Sequence, residues 1–118
     1  MNDRLVPLSV KERHRILFME ATPKEEIIDW GKAHLEAGLY HDALEYFDRA
    51  QSKENLLILV DCAVKEVDLV LLLNTFKALN EEPDKGNLLK LKENALKSGK
   101  SSVAQQAAIM LIPKGEER

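Results

Sequence analysis

Three histidines, one cysteine and a crowd of carboxylates are the residues of this 118-residue chain that could do chemistry. A histidine pair such as His34 and His41 can hold a metal or move a proton only if further ligands or a nucleophile converge on it. No H-E-x-x-H, G-x-S-x-G or Gly-rich phosphate loop occurs to supply that company. His14 lies among Lys11, Arg13 and Arg15, which favours an exposed position. Cys62 sits in the apolar run LVDCAV, with no adjacent cation to lower its pKa, and reads as an inert buried thiol. A single cysteine excludes an internal disulfide and any thiolate cluster. Glu25, Glu26, Asp29, Glu36, Asp42, Glu45 and Asp48 could form carboxylate pairs for acid–base or glycosidic work. On amphipathic helices the same residues make a solvated face, and that is the reading preferred. Gly99-Lys100-Ser101-Ser102 resembles the end of a phosphate loop but lacks the upstream glycine and the preceding strand. No enzyme activity, metal or cofactor is expected.

Charge carries more information than chemistry. Lys85, Lys90, Lys92, Lys97 and Lys100 form a basic stretch in which Glu93 is the one acid between Lys85 and Lys100. They could meet an acidic partner or nucleic acid, although a solvated helix face is preferred. The chain is thus acidic through its middle and basic here, a polarity that could orient a charged partner or a second copy. A net charge of −3 gives no general attraction to nucleic acid, and 5% aromatic residues leave few platforms for stacking bases. With 45% hydrophobic and 31% charged residues, the chain suits one domain, 1–118, with a real core. The start lacks the apolar core of a signal peptide, and Val67–Leu73 is far short of the roughly 20 residues of a membrane span. A cytoplasmic location without membrane contact is the default expectation.

The elements that must position these residues all read as helices. Residues 1–8 form a lead-in. Ser9 with Glu12 has capping-box spacing and opens a helix over Val10–Glu20, with Val10, Ile16, Leu17 and Phe18 as burial candidates. Thr22-Pro23-Lys24-Glu25 opens a second helix ending at Ala37, where Gly38 turns the chain. A third runs over Tyr40–Gln51 and a fourth over Ser52–Val64, the latter apolar on most sides. Asp68 caps a fifth to Leu79. After the loop 80–86 come a sixth, Asn87–Ser98, and a seventh from a Ser102/Gln105 pair to Leu111. Residues 114–118 form a polar, mobile tail. Trp30, the single tryptophan, is expected to be largely buried.

The stretch Ile27–Ala50 carries a recognisable spacing. Ile27, Trp30, Gly31 and His34 precede the Gly38 turn, and Ala43-x3-Phe47 follows it. This resembles one tetratricopeptide repeat, with Ile27 and His34 in place of the usual Trp and Tyr and no closing proline. The resemblance makes His34 a packing residue at the core edge. A shift of 61 residues lays Ile27 on Leu88, Trp30 on Leu91, His34 on Ala95, Gly38 on Gly99 and Ala43 on Ala104. The expected fold is therefore all-α: about seven helices in antiparallel pairs, stacked as a short right-handed superhelix or closed as a compact bundle. The middle pair lacks both a glycine turn and A-x3-F.

The resemblance also implies a function, a non-enzymatic module that takes a partner protein's peptide or helix into a groove lined by first helices. Carried over residue by residue, the groove slots are Glu25, Ile28, Lys32, Leu35 and Glu36, then Leu89, Glu93, Leu96 and Lys97. The lysine and asparagine pattern of the family's chaperone-tail binders is missing, since Ile28 and Lys32 hold those slots. The alternative is structural: a domain that self-associates as a homodimer through its leucine-rich surface.

Overall fold

The Ser9 hydroxyl accepts the Glu12 N–H at 3.2 Å and settles where the first helix begins. In this computed structural model, which describes residues 5–19 and 21–113, α1 spans Val10–His14. The chain then widens into a π-helical turn over Arg15–Met19. Ile16 and Leu17 are buried there, each 1% exposed, whereas Val10 is 79% and Phe18 62% exposed. Two of the four burial candidates thus point outward. The reason is helical geometry: Val10, His14 and Phe18 succeed one another at four-residue steps and share a face, with the His14 and Phe18 rings 5.3 Å apart. The expected end of this helix at Glu20, the first four residues of the lead-in and the tail over 114–118 lie outside the described residues.

Six more α-helices follow: α2 Lys24–Glu36, α3 Tyr40–Ala50, α4 Lys53–Glu66, α5 Leu69–Ala78, α6 Lys85–Lys97 and α7 Ser101–Met110. The protein is all-α, with no strand among the described residues. Its helices pair as neighbours, α2 with α3 and α6 with α7. None of the described helices is long and apolar enough to cross a membrane. The chain divides into two compact units, Met1–Leu57 and Ile58–Arg118, the boundary falling within α4.

Helix starts follow the caps unevenly. Asp68 accepts the Leu71 N–H at 3.0 Å, as expected of a cap. Asp84 does the same for Asn87, also at 3.0 Å, and so begins α6 two residues earlier than the sequence suggested. The Thr22 cap does not form: Pro23 takes the N-cap position of α2, one residue later than the threonine. α7 likewise starts from Lys100 with no side-chain cap, so the Ser102/Gln105 pair is not used.

Helix ends are more uniform. Beyond α2, the Leu39 N–H returns to the His34 carbonyl at 2.9 Å and the Gly38 N–H to Leu35 at 3.0 Å. Beyond α6, Lys100 returns to Ala95 at 2.8 Å and Gly99 to Leu96 at 3.3 Å. Both glycines hold the left-handed conformation this closure needs, φ +78° and +74°. Gln51, Val67 and Asn80 take the same place after α3, α4 and α5, with φ of 50°, 56° and 59°. There Ser52 returns to Phe47, Asp68 to Ala63 and Glu81 to Phe76. The middle pair therefore makes the turn without glycine. Val67, a β-branched residue for which this conformation is unfavourable, keeps its side chain buried at 8% exposure.

The 61-residue offset reappears in the helices. α2 and α6 have 13 residues each and begin at Lys24 and Lys85; α3 and α7 begin at Tyr40 and Ser101. Leu39 and Lys100, which open the second helices, have nearly the same backbone angles, φ/ψ of −93°/70° and −94°/66°. The cores differ in filling. In the first unit Ile16, Leu17, Ile27, Tyr46 and Ala50 form a cluster, with Leu8, Ile28 and Trp30 at its margin. Gly31 lets Phe47 approach so closely that a Cβ there would stand 2.5 Å from its ring. Trp30 is half-buried rather than largely buried. Ile27, Gly31 and His34 take the interior of this helix, and the indole packs at the margin of the cluster. In the second unit Leu88, Leu91 and Ala95 bury against a helix that offers Ala104 and Ala107. Burying a leucine is worth about 1.5–3 kcal/mol, so Leu88 and Leu91 contribute a few kcal/mol to holding α6 in place.

Candidate functional site

His34 is spent on structure. Its Nδ1 donates to the Trp30 carbonyl at 2.7 Å, and its Nε2 accepts the Leu8 N–H at 3.3 Å. Those partners set the tautomer, since a carbonyl can only accept and an N–H only donates. The ring stacks on Tyr46 with centroids 4.7 Å apart and is 1% exposed. It lies inside the core rather than at its edge, and neither nitrogen is available to a metal or substrate. No group of three His, Cys, Asp or Glu side chains able to hold a metal ion forms among the described residues.

Cys62 differs from its sequence reading. It is half-buried rather than enclosed, and Lys65, one turn on, does act on it. Burial pushes the thiol pKa up more strongly than Lys65 pulls it down, so the group stays a protonated thiol. Among the acids, Glu45 is committed to a fork with Arg13: Nε donates to Oε1 at 3.1 Å and Nη2 pairs with Oε2. The pair ties α1 to α3, and the hydrogen bond to Glu45 is the main reason the Arg13 pKa is raised.

Of the residues carried over as groove slots, all but Ile28 and Leu35 are exposed. On α2, Glu25, Lys32 and Glu36 are exposed and Leu35 is half-buried. Ile28 leans on the first unit's core cluster and offers only part of its side chain. The opposite side of α2 buries Ile27, Gly31 and His34. On α6, Leu89 is 46% and Leu96 58% exposed, with Glu93 and Lys97 exposed beside them. The two strips share a register: Ile28, Lys32, Leu35 and Glu36 become Leu89, Glu93, Leu96 and Lys97 after 61 residues. Each strip is assembled within its own unit by one helix.

A concavity in the second unit escaped the sequence reading. A cleft of about 550 Å³ opens between α4 and α6, bordered by Lys65 and Asp61 on one side and Asn87, Lys90, Asn94 and Lys97 on the other. Asn94 Nδ2 donates to the Val64 carbonyl at 3.1 Å, adding to the Val67 N–H that this oxygen already accepts at 3.3 Å and linking the two helices. The signal was present in part. Asn87, Lys90, Asn94 and Lys97 recur at steps of three and four and make a polar stripe beside the apolar one. Lys65 could be joined to them only by the packing of α4. Comparison with protein-family models, with characterised proteins and with solved structures finds no match for this chain.

Proposed function

We propose that this protein is a non-enzymatic interaction module that binds a peptide or helix of a partner protein along the outward strips of its first helices. The observation that carries the reading is α6: Leu89 and Leu96 stand exposed at a two-turn spacing, flanked by Glu93 and Lys97. Apolar anchors at that spacing, rimmed by charge, suit an amphipathic segment laid against them. Burial elsewhere supports this, since Leu88, Leu91 and Ala95 already hold the helix and leave the strip no structural duty. On α2 the strip is weaker, because Ile28 and Leu35 are partly withdrawn.

The test is a comparison of retained proteins. The native chain and a Leu89→Asp/Leu96→Asp variant serve as baits in lysate of the source organism, alongside Leu35→Asp. Both exposed leucines should accept aspartate with stability changed by no more than about 0.5 kcal/mol, the usual surface value. A partner held by the native chain and lost by the folded double variant supports the reading. An identical set on both baits would sink it, and so would unfolding of the double variant. A second reading, self-association, is favoured by exposed apolar side chains off these strips, notably Val70 at 61% and Ile109 at 57%. Light scattering across a concentration series separates the two.

A further inference from the structure

We propose that the cleft between α4 and α6 receives an acidic peptide segment, whose carboxylates meet Lys65, Lys90 and Lys97. The proposal deepens the interaction reading and rests on it, naming the chemistry of the partner. Three ammonium groups from two helices border the cleft against a single carboxylate, Asp61. None of the three forms an ion pair among the described residues. Unneutralised cations around a concavity focus positive potential into it and draw in an anionic ligand. A volume of about 550 Å³ lies within the roughly 300–1,000 Å³ of ordinary ligand clefts, and the cleft opens widely to solvent.

The amides refine the ligand class. Asn87, half-buried on the wall, can donate to a carboxylate and accept a backbone N–H. Asn94 uses one N–H of its amide on the Val64 carbonyl, so it offers the cleft its second N–H, a donor for a carboxylate, and its carbonyl oxygen, an acceptor suited to a peptide N–H. Asp61 is likewise an acceptor. A run of nucleic-acid phosphates has no N–H for these oxygens and is repelled by Asp61, and no aromatic ring lines the cleft to stack a base. A peptide rich in Asp or Glu satisfies both the lysines and the acceptors.

The experiment uses the full chain and a fluorescein-labelled oligoglutamate peptide, read by anisotropy at low and raised salt. Oligoglutamine and oligouridylate are the comparison probes. Oligoglutamate should bind and weaken as salt rises, and oligoglutamine should not bind. Exposed lysine–carboxylate pairs are individually modest, so Lys65→Ala, Lys90→Ala and Lys97→Ala should each weaken binding about two- to fivefold, and all three together about tenfold or more. Lys77→Ala, on α5 outside the cleft, should leave binding unchanged. The replaced lysines are exposed, so circular dichroism of the triple variant should match the native chain. Absence of oligoglutamate binding overturns the proposal, as does an equal loss in Lys77→Ala or equally tight binding of oligouridylate at matched charge. Any of these leaves the wider interaction reading standing, because that reading is decided by the Leu89 and Leu96 variants.

Discussion

Tyr46 is fully buried, and its hydroxyl finds no hydrogen-bond partner among the described residues. A dry phenol resists ionisation, and burial pushes its pKa up from 10.0 to about 12, with Arg13 offsetting part of the effect. A raised folded-state value means the protonated form stabilises the fold. That contribution is complete below pH 10 and is lost as pH rises through about 12. The loss amounts to roughly 3 kcal/mol, about 1.4 kcal/mol per pKa unit. Urea unfolding of the native chain should therefore weaken over that window, and Tyr46→Phe should lack this component. At neutral pH the same substitution should raise the unfolding free energy by about 1 kcal/mol, because it removes an unpaired polar group from the core. A neutral-pH loss of stability on going to Phe would mean the hydroxyl is satisfied. His34 makes the contrasting case: an equally buried polar group whose two nitrogens both have partners.

At the scale of the element, one device recurs. Five helices end in the same left-handed closure, and only two of the five use glycine. Around Gly38 and Gly99 an added Cβ meets nothing within 4 Å. Any cost of alanine there is then conformational rather than steric. Gly38→Ala and Gly99→Ala should each destabilise by about 1–2 kcal/mol, the price of a side chain in the left-handed region. Chemical denaturation of the two variants checks this, and a cost near zero would show that these turns relax away from the closure. The helix starts behave less regularly because Thr22 and Ser102 compete with Pro23 and Lys100 for the cap position, and local hydrogen bonds of about 1 kcal/mol yield to packing.

For the whole molecule, circular dichroism should report predominantly helix with no appreciable sheet, and a substantial strand signal would contradict the fold. The sequence by itself determined that every element is helical, because apolar residues recur at three- and four-residue steps and breakers stand between the runs. It determined the glycine turns at 38 and 99 and the 61-residue echo between them, since these depend on backbone preference and spacing alone. The strips of α2 and α6 came instead from the family resemblance, carried over slot by slot, and not from the periodicity of the chain. Only the tertiary structure decided how deeply each side chain sits. Trp30 and Phe18 have core chemistry, yet Trp30 stays at the core margin and Phe18 faces outward, and His34 enters the core because Trp30 and Leu8 answer its nitrogens. The α4–α6 cleft was likewise decided in three dimensions. Lys65 and Asn87 lie 22 residues apart, and no periodicity within one helix says which residue of another will border the same space.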